Sequence, residues 1–218
     1  MIDIAKAKPI LFSALMIQAI IDGRKKCTRR VVKPQPPQFV DYFEKRGDGF
    51  KAYMVPGEPC DYPLVKPKYQ PGDILWVRET VWQRLHSTLR ETRGYSDEEW
   101  FYWGSEFRYA ATDKEPKEGN WVKRPSIHMP RIAARIFLVV KNVELEKLQD
   151  ISEEDARDEG ILLSYRASDK RVCRFQNYRD AFRALWDDLN KKRGYGWNMN
   201  PWVWAYEFED ISREVVSK

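Results

Sequence analysis

The most basic stretch of this sequence spans residues 24–33, in which six of ten residues are Lys or Arg and none is acidic. Within it, Lys25 precedes Thr28 by three residues. An amine near a hydroxyl is the starting point of base-assisted nucleophilic chemistry, and a dense cationic stretch suits a phosphate group. A solvated basic strand edge fits the same residues, because lysines protect exposed edges from aggregation. The stretch by itself leaves both interpretations open.

A second candidate for chemistry is Glu159, which we predict in the last turn of a short helix over residues 152–159. This helix begins with Ser152 as its cap, has acidic residues in its first turn and ends before Gly160. The helix dipole disfavours a carboxylate at a C-terminus, so an acid there needs a reason. Pairing with a nearby Arg and participation in catalysis both supply one.

Other residues qualify as binding groups or as parts of the core. Residues 125–131 form a loop bracketed by prolines beside a predicted strand, as binding loops often do, although a lone His there also fits a structural role. Trp76 and Trp82 can stack on a base, but nine tryptophans in one chain favour the core. Cys27 lies among cations that favour a thiolate, but it has no neighbouring His in the sequence.

The composition is that of a globular protein that prefers acidic partners. Its 218 residues are 43% apolar and 33% charged, which suits one large domain or two small ones. The formal net charge of +5 favours nucleic acid among possible partners.

Several classes of site and location are disfavoured by the same composition. Three separated cysteines and two histidines indicate neither a disulfide framework nor a zinc site, so we expect a reducing cytoplasm. We expect no metal and no cofactor, because no Gly-rich phosphate loop or carboxylate cluster with metal spacing occurs. We also expect no membrane partner, because the longest apolar stretch is too short to span a bilayer and no signal-peptide pattern begins the chain.

Local patterns predict helices and strands in mixed order. Ser13 can cap a helix that ends at Gly23, and residues 27–32 alternate as a strand with Thr28 and Arg30 on one face. Lys25 does not share that face by simple alternation, but it can reach Thr28 from the turn before the strand. Further strands are predicted over residues 74–82, 132–140 and 202–208, and a further helix over residues 178–189.

Two segments interrupt this order and are predicted to be inserts. Eight of the thirteen prolines lie within residues 34–71, which predicts a long surface loop or hairpin without helix or central strand. Residues 83–124 carry aromatic and charged side chains in a weak pattern. Short strands from distant parts of the chain favour a closed or nearly closed sheet in an α+β domain.

These segments together resemble the ASCH domain, a member of the PUA-like superfamily of small β-barrels associated with RNA and modified bases. The likeness is strongest to the longer ASCH proteins of phages and prophages. The ASCH signature is Gly-x-Lys-x-x-Glu-x-Arg; Gly23, Lys25 and Arg30 match its fixed positions, and Thr28 stands where the family usually has Glu. The matching segments run nearly end to end and read KPILFSALMIQAIIDGRKKCTRRVVKPQ, PGDILWVRETVW, PSIHMPRIAARI, LQDISEEDARDEGI and NPWVWAYEF.

The resemblance implies a fold and a domain organisation. It implies one ASCH domain over residues 1–218, built as a PUA-like small β-barrel with flanking helices and with inserts at about 34–71 and 83–124.

One branch of the family also carries Thr at this position: the small bacterial amidohydrolases that remove the acetyl group from N(4)-acetylcytidine. Their proposed catalytic set is a Lys, a Thr three residues later and a Glu in a downstream acidic helix. The similarity implies that Lys25 is the general base, Thr28 the nucleophile or its positioner and Glu159 a proton shuttle. Arg30 or backbone N–H groups would stabilise the oxyanion. This chain is much longer than those enzymes, and its inserts can reshape or cover the pocket.

The expectation is therefore an amidohydrolase for an acylated cytosine nucleoside or modified base, in which Lys25, Thr28 and Glu159 converge on one pocket. A non-catalytic binding module for RNA or a modified base is the alternative, and a metal-independent ribonuclease is another. Contacts with a nucleoside or RNA are expected from a wider set of residues: Arg24, Arg29, Arg30, Lys33, Trp76, Glu79, Ser126, His128 and Arg131.

Overall fold

A computed structural model describes residues 4–55, 58–90, 98–166 and 172–216. The architecture is a mixture of helix and strand dominated by sheets, which confirms the predicted α+β class. The strands are β1 (Lys8–Leu11), β2 (Cys27–Val31), β3 (Tyr42–Arg46), β4 (Gly49–Val55), β5 (Glu58–Pro59), β6 (Ile74–Arg78), β7 (Val81–Arg90), β8 (Glu98–Tyr109), β9 (Trp121–Arg124), β10 (Phe137–Lys147), β11 (Ser164–Arg166), β12 (Val172–Arg174) and β13 (Trp202–Asp210). The α-helices are α1 (Ala14–Ile21), α2 (Glu153–Asp158), α3 (Tyr178–Asn190) and α4 (Ser212–Val216), with short 3₁₀ turns between elements.

The internal contacts of the chain divide it into two compact units, each assembled from separate segments. Unit 1 comprises Met1–Gln18, Leu75–Leu138 and Ile211–Lys218, and unit 2 comprises Ala19–Ile74 and Val139–Asp210. No helix in the described part of the chain is both long and apolar enough to cross a membrane.

Unit 1 contains a parallel strand pair and a three-stranded antiparallel sheet. Strand β1 runs parallel to β6, with Lys8 opposite Leu75. In the other sheet, β7 lies between β8 and β9. One face of that sheet is covered, because Val81 packs with Met129 and Ala133 in a buried cluster.

Unit 2 holds the strand order β10–β13–β2 and a helical core. Strand β13 pairs antiparallel with β2 and places Tyr206 opposite Thr28. Helix α3 begins at its cap Asn177, whose side chain accepts a hydrogen bond from the Asp180 N–H. Its apolar stripe packs on α2 and on β13 in one buried cluster, which includes Leu148, Ile151, Ala156, Phe182, Trp186 and Val203.

The closed β-barrel is not found. A barrel requires its first and last strands to pair, whereas every sheet in the described ranges is open and β2 ends the strand order in unit 2. The two predicted inserts contain small sheets of their own: β3–β4–β5 lies within residues 34–71, and most of β7–β8–β9 lies within residues 83–124. The prediction of no central strand in residues 34–71 is wrong, because β4, which contains no proline, pairs with β3 on one side and β5 on the other.

Two strand predictions need correction. The strand predicted over residues 74–82 is divided into β6 and β7 at Glu79 and Thr80, where the chain leaves one sheet for another. The strand predicted over residues 132–140 starts later, because a 3₁₀ turn occupies Arg131–Ala133 and β10 begins at Phe137. Alternation in the first segment and an apolar run in the second predict buried side chains, but neither pattern predicts which backbone conformation buries them.

Candidate functional site

The ends of two helices bring Lys25 next to Glu159 within unit 2. After α1, the N–H groups of Arg24 and Lys25 both donate to the Ala19 carbonyl, at 2.9 and 3.0 Å. Gly23, at φ +72°, makes the reversal that this turn requires. Lys25 then forms an isolated antiparallel bridge with Glu159, the residue that caps the C-terminus of α2.

The Lys25 ammonium binds Glu159 twice. Its Nζ lies 2.6 Å from the Glu159 Oε2 and 2.9 Å from the Glu159 backbone oxygen. The Lys25 side chain has no exposed surface and the Glu159 side chain is 4% exposed, so the ion pair is buried. The two residues are 134 positions apart in the sequence. Side-chain packing in unit 2, rather than local sequence, therefore creates this contact.

This arrangement explains a carboxylate at the end of a helix. The last carbonyl groups of a helix lack partners within it, and the dipole there favours a cation. The Lys25 ammonium satisfies the Glu159 carbonyl and neutralises its carboxylate. The other carboxylate oxygen, Oε1, accepts a hydrogen bond from the Arg29 backbone N–H at 2.7 Å.

The Arg29 guanidinium extends the pair into a larger group that we call the acid–base network: Lys25, Cys27, Arg29, Glu146, Asp155 and Glu159. Arg29 Nε donates to Glu146 at 2.6 Å, and its other nitrogens lie 3.2 Å from Asp155 and 3.7 Å from Glu159. Burial disfavours its charged form, but Glu159 and Glu146 outweigh that effect and raise the pKa of Arg29. Desolvation raises the pKa of Glu146, partly offset by Arg29. The network reaches solvent at Asp155, whose side chain is 45% exposed.

Cys27 belongs to this network as a protonated thiol. Burial, followed by the negative charge of Glu159, raises its pKa far above the ordinary value of a thiol. Its Sγ donates to the Asp155 carbonyl at 3.5 Å. The thiolate that neighbouring cations were expected to favour is therefore disfavoured, because burial and the carboxylates of Glu159 and Asp155 act against it.

Thr28 lies on the other face of β2 from Cys27 and Arg29, because neighbouring residues of a strand alternate. It is 3% exposed, and in the described ranges its hydroxyl forms no hydrogen bond with Lys25, Glu159 or any other residue. Arg30 shares its face, is half-buried and has its pKa lowered by desolvation. Tyr206, opposite Thr28, is buried, and burial raises the pKa of its phenol to about 12. The structure thus brings Lys25 and Glu159 together without a direct contact to Thr28.

The remaining basic residues of the 24–33 stretch do not form one continuous exposed surface. Arg24 is half-buried and donates to the Gly160 carbonyl at 2.5 Å and to Asp22 at 2.8 Å. Arg29 is 6% exposed. Lys33 is exposed, and its ammonium lies 5.3 Å from the centre of the Tyr195 ring.

The other residues predicted to bind nucleoside or RNA belong to unit 1. Trp76 is buried in the core, at 8% exposure. Glu79 is buried and receives two hydrogen bonds from Arg135, at 2.8 and 2.9 Å, which is a structural ion pair. Arg131 is exposed and donates to the backbone oxygens of Ile4 and Ala5.

Ser126 and His128 lie on the 3₁₀ turn Ser126–His128 of unit 1. Ser126 is partly exposed and His128 is exposed. The binding loop predicted over residues 125–131 is thus at the surface, as expected, but its exposure alone does not identify a ligand.

Sequence reasoning missed Glu146 as a member of the network. It alternates with Glu144 near the end of β10, a pattern that predicts solvent exposure and gives no signal of an arginine partner. Within the described ranges, no group of three or more His, Cys, Asp or Glu side chains is arranged to hold a metal ion.

Comparisons with models of protein families, with characterised proteins and with solved structures gave no match for this chain. The functional assignment therefore depends on the residues, their geometry and the resemblance in motif.

Proposed function

We propose that this protein is an ASCH-type amidohydrolase that removes the acyl group from N4 of an acylated cytosine nucleoside or a related modified base. The observation that carries the proposal is the buried Lys25–Glu159 pair, with Nζ 2.6 Å from Oε2. These are the first and third members of the catalytic set that the motif implies. The PUA-like assignment of the fold belongs to the same proposal.

The pair suits amide hydrolysis because the reaction needs one proton accepted and one delivered. The attacking oxygen loses a proton as it bonds to the acyl carbon, and N4 gains one as the C–N bond breaks. In place of the roles that the motif implies, with Lys25 as the general base, we assign the first proton to Glu159, which accepts it as a carboxylate, and the second to the Lys25 ammonium, which delivers it. Two groups already in hydrogen-bond contact can then exchange protons and return to their starting state.

Thr28 and Arg30 take the complementary roles on the other face of β2. The Thr28 hydroxyl makes no hydrogen bond within the described part of the chain, so it is not already committed to a structural partner there. We assign it to the attacking nucleophile or to positioning the attacking water. Arg30, half-buried beside it, supplies positive charge for the oxyanion of the tetrahedral intermediate.

The test is release of the acyl group from N(4)-acetylcytidine and from other N4-acylated cytosines. We expect turnover by the wild type and a loss of roughly a hundredfold or more in Thr28→Val, which keeps the strand shape and deletes only the hydroxyl. Thr80→Val in unit 1 is the matched control and is expected to retain activity. A melting curve for each variant separates lost chemistry from lost fold.

One result would overturn the hydrolase proposal, and a second would overturn the role of Thr28 within it. A wild type inert on every acylated cytosine would remove the hydrolase assignment. Thr28→Val as active as the wild type would remove Thr28 from the mechanism and leave Glu159 and Lys25 to activate a water without it.

A binding module for RNA or a modified base is the second candidate. It is favoured by the complete burial of the Lys25 side chain and by the number of ion pairs in the acid–base network, features of a structural cluster. Binding of N(4)-acetylcytidine without turnover would favour this candidate over the hydrolase.

A further inference from the structure

Unit 1 carries a sheet face that has no role in the proposed hydrolysis. In the β8–β7–β9 sheet, Trp82 and Arg84 of β7 lie on the opposite side from Val81, which faces the buried cluster. The register sets Arg108 and Lys123 opposite Trp82, and Trp121 opposite Arg84. We name this surface the Trp121 face; it comprises Arg84, Glu106, Arg108, Trp121 and Lys123, and Trp82, only 7% exposed, lies beneath Lys123.

Aromatic and cationic side chains alternate across the Trp121 face. The Arg108 guanidinium lies 5.5 Å from the centre of the Trp121 ring, and the Lys123 ammonium lies 5.6 Å from that of Trp82. Arg84 pairs with Glu106 at 2.8 Å. Arg108 and Lys123, both exposed, form no ion pair within the described residues, so their charges are available to an anion.

A cavity opens on this face beside the Trp121 indole. Its volume is about 670 Å³, within the range of small-ligand pockets and large enough for a nucleotide. The residues that line it are Arg84, Glu106, Phe107, Arg108, Glu118, Gly119 and Trp121. Gly119, at φ +87°, lies against the edge of the indole, since a Cβ added there would be 3.3 Å from the Trp121 Nε1.

We propose that the Trp121 face binds a single-stranded polynucleotide, with one base stacked on Trp121 and the adjoining phosphates held by Arg108 and Lys123. Stacking on an aromatic ring beside backbone-tracking cations is how proteins hold single strands without reading their sequence. A duplex does not fit, because its bases are already stacked and paired. This inference goes beyond the hydrolase proposal and does not depend on it.

The net charge of residues 83–124 does not explain an attraction for a polynucleotide. Residues 83–124 contain eight Lys and Arg against eight Asp and Glu. Binding must therefore come from the local arrangement of the Trp121 indole with Arg108 and Lys123, and stacking must supply much of it.

The experiment measures fluorescence anisotropy of labelled oligouridylate and oligothymidylate, each of about twelve nucleotides, a length within known single-strand site sizes. Both are expected to bind, because stacking and phosphate contacts do not read the sugar. Trp121→Ala should weaken both by roughly five- to a hundredfold, the loss typical of one stacked base. Arg108→Gln, at an exposed position that leaves the ring in place, should weaken both as well.

Trp103→Ala is the matched control. Trp103 is 50% exposed and lies under Arg124, at 3.7 Å, on the opposite face of the same sheet. Its loss should leave the affinity unchanged. Equal loss in Trp103→Ala, wild-type affinity in both Trp121→Ala and Arg108→Gln, or equally tight binding of a duplex of the same length would overturn the proposal. None of these results bears on acyl release at Lys25 and Glu159.

Discussion

Lys25 and Glu159 are each too costly to bury alone, because an isolated charge loses its hydration without compensation. Together they share a 2.6 Å contact, and Arg29 brings a second cation against Glu159, Glu146 and Asp155. Removing one partner of such a pair leaves an uncompensated charge, whereas the pair as a whole adds little stability. The network is therefore sensitive to single changes.

Glu159→Gln is expected to lower the free energy of unfolding by about 3–5 kcal/mol, because Lys25 would remain buried without its counter-charge. Glu209→Gln is the matched control. Glu209 pairs with Lys141 at 3.0 Å, but both side chains are more than half exposed, and its loss should cost about 0–1 kcal/mol. Chemical denaturation of both variants measures the difference. Equal losses would show that the Lys25–Glu159 pair adds no more than a surface ion pair.

At the residue scale, the sequence predicts which single residues are unusual better than it predicts which residues contact one another. Glu159 is conspicuous because a helix C-terminus disfavours a carboxylate, and the structure supplies the cation that this argument required. Glu146 gave no such signal, because an acid at an alternating strand position is ordinary. Which distant residue supplies a partner depends on tertiary packing, and one sequence does not contain that information in local form.

At the scale of helices and strands, the short helix α2 positions the site. The end of this helix depends on one glycine. Gly160 has φ +81°, and a Cβ there would lie 2.7 Å from the Lys25 Cβ and 2.8 Å from the Ala19 Cβ. The absence of a side chain thus allows the end of α2 to approach Lys25 closely enough for its carbonyl contact.

Gly160→Ala should therefore lower the free energy of unfolding by more than the strain of a positive φ alone would. Gly194→Ala is the control, since Gly194 has φ +84° and a Cβ added to it would meet nothing within 4 Å. Left-handed backbone should cost Gly194→Ala about 1–2 kcal/mol. Overpacking against Lys25 and Ala19 should add about 1–3 kcal/mol in Gly160→Ala. Chemical denaturation curves of the two variants test this, and equal midpoints would contradict the close approach.

Elements with local signals were the predictable ones. Helices α2 and α3 have capping side chains at Ser152 and Asn177, and both occur where the patterns indicated. The division at Glu79 was not predictable, because alternation continues through it. Glu79, the first residue after β6, pairs with Arg135, and a tertiary contact of this kind has no signal in the hydrophobic period.

At the scale of the whole molecule, the excess of positive charge is unevenly distributed between the two units. Unit 1 has 15 Lys and Arg against 11 Asp and Glu, whereas unit 2 has 23 against 22. In unit 2, Arg29 and Lys25 of the 24–33 stretch are buried with carboxylates, which reduces the charge that this stretch offers to phosphates. The highest density of basic residues in a sequence therefore need not be its strongest surface for nucleic acid.

The salt dependence of binding separates the two surfaces. Affinity for a single strand falls with salt at a slope of about −0.7 per phosphate contact, so two cations on the Trp121 face predict a slope of about −1.4. Arg108→Gln should reduce its magnitude by about 0.7, while Lys33→Gln, which removes an exposed cation of the 24–33 stretch, should leave it unchanged. Anisotropy titrations of oligouridylate across a series of salt concentrations measure both slopes. If Lys33→Gln reduced the magnitude of the salt slope and Arg108→Gln did not, the phosphate contacts would have to be assigned to residues 24–33. Only a cation that displaces counterions can change this slope.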